Sequence, residues 1–62
     1  MIIRKRTASE LQPGQSIVDW DGSLWLIGSV ECAGFLIRVG VTSGATTRHW
    51  YYRPRQFVAV TT

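Results

Sequence analysis

Turn-forming residues interrupt this chain at short, regular intervals, and that spacing restricts what it can build. Pro13-Gly14, Asp21-Gly22, Ala33-Gly34, Ser43-Gly44-Ala45 and Pro54 leave no run long enough for a stable isolated helix. Proline presets φ for the second position of a turn, and glycine tolerates the positive φ that tight turns need. Between these points apolar and polar residues alternate. The pattern is clearest where Phe35, Ile37, Val39 and Val41 interleave with Leu36, Arg38, Gly40 and Thr42. Strands recurring roughly every 8–12 residues indicate a sandwich or a barrel. Sixty-two residues cannot supply two full sheets, so a small, strongly bent barrel is the economical answer.

The expected strands cover residues 2–7, 16–20, 23–32, 35–42, 46–53 and 57–61. The first is basic, as suits an edge, and the last should pair with it, closing the barrel and removing exposed edges. Ala8-Ser9-Glu10-Leu11 suits one helical turn anchored by Leu11. Asp21-Gly22 suits a two-residue type I′ hairpin loop. Gly28 in mid-strand predicts a bulge, and Gly40 a second bend. Trp20 and Val39 are expected core residues whose truncation costs about 2–5 kcal/mol. The whole chain, 1–62, is one domain.

Such a fold must rest on packing. A single cysteine, Cys32, allows no internal disulfide, and one cysteine with one histidine cannot furnish a structural zinc site. Three Trp, two Tyr and two Phe suit a small core. The start of the chain, Met1-Ile2-Ile3-Arg4-Lys5-Arg6, has no apolar stretch after its charges, and no run reaches the roughly 20 residues of a membrane span. The expectation is a cytoplasmic protein with Cys32 as a reduced, buried thiol. No membrane, cofactor or small-molecule substrate is expected.

The net charge is +3, unevenly spread. Arg4, Lys5, Arg6, Arg48, Arg53 and Arg55 lie towards the ends, the four acids lie in the first half, and Arg38 stands alone. If the ends meet, the basic residues converge on one patch.

The order of these features carries a resemblance. A basic first strand is followed by the Leu11-x-Pro13-Gly14 turn, a short strand, Asp21-Gly22 and two long bent strands. An aromatic strand, a one-turn Pro54-Arg55-Gln56 connector and a closing strand complete it. This resembles SH3-like small β-barrels. Leu-x-Pro-Gly followed by Gly-x-x-Trp is also similar to small uncharacterised proteins of actinobacterial viruses and their hosts. The resemblance implies an all-β, SH3-like antiparallel barrel of five or six short strands. That class holds peptide binders, nucleic-acid binders and one plasmid-borne reductase, so fold alone does not assign function. The acidic loop of signalling SH3 domains and the Val-Gln-x-Tyr site of the reductase are both absent.

Catalytic parts are few. Cys32 and His49 could form a nucleophile–base pair, but nothing fixes their spacing; Cys32 as a small core filler and His49 as an ordinary, half-exposed strand residue are much the better readings. Asp21 has its own turn role beside Asp19. The chain is therefore expected to be no enzyme. The densest stretch is Arg48-His49-Trp50-Tyr51-Tyr52-Arg53-Pro54-Arg55-Gln56-Phe57. On a strand, Trp50 and Tyr52 make the better core face, leaving Tyr51 outside with His49 and Arg53. Aromatics beside arginines suit a protein contact, base stacking with phosphate contacts, or simple cover for core edges. The two-faced apolar segment Leu24-Trp25-Leu26-Ile27 adds an argument for a protein partner or self-association. The expected reading is a binding module, accessory or regulatory and possibly viral. It would contact a protein or a second copy through Trp25, Ile27, Arg48, Tyr51, Arg53 and Arg55. The alternative is a DNA- or RNA-binding barrel using Arg4, Arg6, Arg48, Arg53 and Arg55.

Overall fold

Six antiparallel strands form a single sheet in the order β1-β6-β2-β3-β4-β5 in the computed structural model, which describes residues 2–61. The strands are β1 (Ile3–Thr7), β2 (Ser16–Val18), β3 (Leu24–Ala33), β4 (Leu36–Ser43), β5 (Thr46–Tyr52) and β6 (Phe57–Thr61). The architecture is the small all-β antiparallel fold that turn spacing and alternation predict. The last strand does pair with the first, from Ile3 opposite Thr61 to Thr7 opposite Phe57. The ring is not completed by hydrogen bonds, however: β1 and β5 are the two ends of the sheet, so each keeps a free edge.

Two hairpins have two-residue loops, Gly34-Phe35 and Gly44-Ala45. In each, the glycine takes positive φ, +64° and +59°, while the second residue does not. That sign pattern is type II′, whose twist matches the flanking strands. It moves Phe35 out of the strand where alternation had placed it, onto the tip of the β3–β4 hairpin.

The β2–β3 connection also differs from expectation. Gly22 N donates to Asp19 O at 2.9 Å, and Asp19 N donates to Ser23 O at 2.8 Å. Trp20, Asp21 and Gly22 therefore form a three-residue loop, with only Gly22 at positive φ. A type I′ turn would have required positive φ at Asp21 too. β2 consequently ends at Val18, and Trp20 is 93% exposed rather than in the core.

The bulge predicted at Gly28 is present: Ile27 pairs with Val41 but Ser29 with Gly40, leaving Gly28 unopposed. One inserted residue reverses the alternation. Trp25 and Ile27 face inward before it, and Val30 faces inward after it, opposite Val39. The single face drawn through Leu24, Leu26, Gly28, Val30 and Cys32 is thus broken in two. Cys32 lies near the hairpin end of β3 and is exposed, contrary to its expected burial.

The core joins Leu11, Ile17, Ile27, Ile37, Val39, Val41, Val58 and Val60 with Ala8. Leu11 anchors its segment as expected, but Ala8, fully buried on the 3-10 turn Ala8–Glu10, shares the task. That turn is fixed at its start, where Thr7 N and Oγ1 both donate to Glu10 Oε1. Ala8 N and Ser9 N donate to Gln56 O and Pro54 O. The connector expected at Pro54 is a single β-turn, closed by Gln56 N to Arg53 O at 3.0 Å.

Candidate contact site

The β3–β4 hairpin and the Arg53–Gln56 turn end on the same side of the molecule, because β5 returns antiparallel to β4. Phe35, Leu36, Arg53, Pro54 and Arg55 there line an open hollow of about 430 Å³. Its wall is mostly apolar. Phe35 is 95% exposed, and burying such a ring is worth roughly 2–3 kcal/mol to whatever covers it. Neither Arg53 nor Arg55 has an acidic partner among the described residues, where the one ion pair is Arg38–Glu31. An apolar wall flanked by two free guanidinium groups suits a ligand that is apolar at one point and anionic beside it.

The other expected site residues have different places. Ile27 is 1% exposed and belongs to the core, so it contacts no partner. Trp25 is half-buried against that core, its ring 5.1 Å from that of Trp50 and tilted by 56°. Arg48 sits over Trp25, its guanidinium carbon 5.9 Å from the ring centroid, within cation–π range. These three cover a core edge, with Trp50 and Tyr52 facing inward as expected. Trp25 Nε1 is buried without a hydrogen-bond partner among the described residues. The outward apolar residues of the 24–27 segment are instead Leu24 and Leu26. The reversal follows from the register, which places Ile17 opposite Trp25 and so turns Trp25 to the core side.

Arg4 and Arg6 lie opposite Val60 and Val58, both buried, so they share the inner face of their strand pair. Arg4 and Arg6 line a smaller hollow of about 170 Å³ with Ile2 and Val60. Arg53 and Arg55 line the hollow at Phe35 instead. Tyr51 is exposed on the outer face, opposite Arg38, which in turn lies opposite Glu31. Arg38 is therefore not alone: its bond to Glu31, and next its contact with Tyr51, hold its pKa above the ordinary value.

Cys32 and His49 fall on opposite faces. Cys32 shares the row of Ile37 and Tyr52, and His49 shares that of Gly40 and Ser29, so they form no nucleophile–base pair. No cluster of three or more His, Cys, Asp or Glu side chains among the described residues could hold a metal ion. No helix among them is long and apolar enough to cross a membrane. Phe35 was the residue that sequence reasoning missed. Its only signal was the place directly after Gly34, where a two-residue loop takes the next residue with it. Comparison of the chain with protein-family models, curated proteins and solved structures finds no match.

Proposed function

We propose that this protein is a non-enzymatic binding module, accessory or regulatory in role, that contacts a partner protein at the Phe35–Arg53–Arg55 hollow. The observation that carries the reading is Phe35, 95% exposed on a two-residue hairpin tip beside two unpaired arginines. The tight two-residue loop already orders the backbone that carries the ring, so binding has that much less chain to order. The partner segment that fits is extended, apolar at one residue and acidic at the neighbouring ones.

The test is capture from nuclease-treated and untreated lysates of the native cells, comparing wild type with Phe35→Ser and with Arg53→Ala/Arg55→Ala. A protein retained by wild type and lost with both variants supports the reading. Retention that disappears on nuclease treatment overturns it in favour of a nucleic-acid ligand.

That second reading has an observation of its own: Arg4, Arg6, Arg48, Arg53 and Arg55 form no ion pair among the described residues, Arg6 lying only near Glu10. A DNA- or RNA-binding barrel would use them for phosphate contacts, with Phe35 as a stacking platform. It requires retention on heparin that falls steeply with salt.

A further inference from the structure

We infer that β5 is a self-pairing edge, and that two copies of this chain join antiparallel along it about a two-fold axis at His49. The inference is independent of the hollow at Phe35. The sheet order leaves β1 and β5 with free edges. The two edges differ in chemistry. β1 carries Arg4, Lys5 and Arg6 in succession, so two β1 edges repel each other. β5 reads Thr46-Thr47-Arg48-His49-Trp50-Tyr51-Tyr52, with one arginine and no glycine, proline, lysine or acid. Threonine and aromatic residues favour strands, and of the usual devices that blunt an edge β5 carries one alone, the inner-face charge of Arg48, which is folded over Trp25.

The register fixes which backbone groups are free. The Gly44-Ala45 loop has two residues, so Ser43 and Thr46 form a hydrogen-bonded pair. Antiparallel ladders alternate, so Arg48, Trp50 and Tyr52 also bond to β4. The amide and carbonyl groups of Thr47, His49 and Tyr51 then point to the open edge. These three positions are evenly spaced about His49. A second copy centred there places Thr47 opposite the partner's Tyr51 and His49 opposite the partner's His49. All three outward positions bond at once, and any register shift leaves one of them unpaired.

The side chains agree with this register. On the inner face Arg48 lies opposite the partner's Trp50, a cation beside an aromatic ring, and the two copies of Arg48 are not opposed. On the outer face threonine faces tyrosine, a favourable cross-strand pair. Thr46, Thr47, Arg48, His49 and Tyr51 are all exposed, so nothing in the fold covers the edge at those side chains. Seven residues span only about 23 Å, and an edge contact of that length is small for an interface. The dimer is therefore concentration-dependent rather than obligate.

Sedimentation or light scattering on the full chain over a wide concentration range tests this. The expected result is a rise from the monomer mass towards twice that mass. His49→Pro removes an outward amide that β4 does not use, and His49→Lys sets two ammonium groups together on the axis. Each should weaken association by about tenfold or more. Phe35→Ser and Leu26→Ser should leave it unchanged. Should a variant fail to fold, hydrogen exchange on wild type decides: the amides of Thr47, His49 and Tyr51 must gain protection as concentration rises. A strict monomer, or association that survives both His49 variants, overturns the inference.

Discussion

Single residues here are governed by how little room the bent sheet leaves, and Gly40 is the sharpest case. A Cβ at Gly40 would stand 2.5 Å from Ser29 Oγ, closer than any real contact, because the bulge at Gly28 brings Ser29 directly opposite. Gly40→Ala should destabilise the fold by about 1–3 kcal/mol, the usual cost of overpacking. Ser29→Ala alone should have little effect. The double variant should recover most of the loss, since Ser29 Cβ lies 3.7 Å away, an ordinary contact. Denaturant midpoints of the four proteins give the coupling directly, and simple additivity would refute the steric account. Trp20 and Val39 make a second pair. Val39 is fully buried, and Val39→Ala should cost about 2 kcal/mol or more. Trp20 stands in solvent, so Trp20→Ala should change stability by about 0.5 kcal/mol or less, measured in the same way. Composition could not separate the two residues. Trp20 is apolar enough for a core, and one extra loop residue decided its place.

At the level of elements, the strands and the bulge were legible because both are written locally. Alternation marks β4, and glycine within an apolar run marks the bend in β3. The exact turn types were not legible, and each error had a consequence. A loop that takes Phe35 as its second residue turns an expected strand residue into the most exposed large hydrophobic side chain among the described residues. The faces of β3 depart from simple alternation because the unopposed Gly28 reverses it. The candidate site depends on the same detail: the sequence marks Arg53 and Arg55 as charges beside aromatic residues and the fold sets them at the hollow, whereas Ile27, expected at a contact, lies in the core. The hairpin loops themselves can be tested. Gly44 has φ +59° with open space around its missing side chain, so Gly44→Ala strains the backbone alone. The expected cost is about 1–2 kcal/mol, the price of a left-handed conformation for an L-residue. Gly44→Asn should cost less, because asparagine tolerates that conformation better. Thermal unfolding of the two variants should therefore rank alanine below asparagine; equal midpoints would mean that the loop relaxes to another turn.

For the whole molecule, stability depends on a small core whose edges are covered by half-buried aromatic residues, and pH exposes that dependence. Glu10 lies below its ordinary pKa of 4.5 because the Thr7 hydroxyl and then the Thr7 amide donate to its carboxylate. Asp21 lies below 3.8 because the Ser23 amide, then its side chain, bonds to it. Both favour the folded state above their unfolded values, and that contribution is lost as pH falls through the folded ones. Tyr52 acts at the other end. Burial, and secondarily the charge of Asp19, raises its pKa above 10.0. Below 10.0 the phenol is protonated in both states and its contribution is fully present. Above 10.0 the unfolded chain ionises first, so stability falls until pH passes the folded value. Unfolding free energy should thus hold a plateau between the carboxylate and phenol ranges and decline on either side. Tyr52→Phe keeps the ring packed against the core and removes the proton. Denaturation of this variant and wild type across the alkaline range isolates Tyr52 from the other groups that titrate there. The variant should lose less stability above pH 10.0 than wild type, with the two curves parallel below it. Curves that stay parallel throughout would show that the Tyr52 hydroxyl meets water in the folded protein, and that β5 covers the core less closely than the packing of Trp50 and Tyr52 implies.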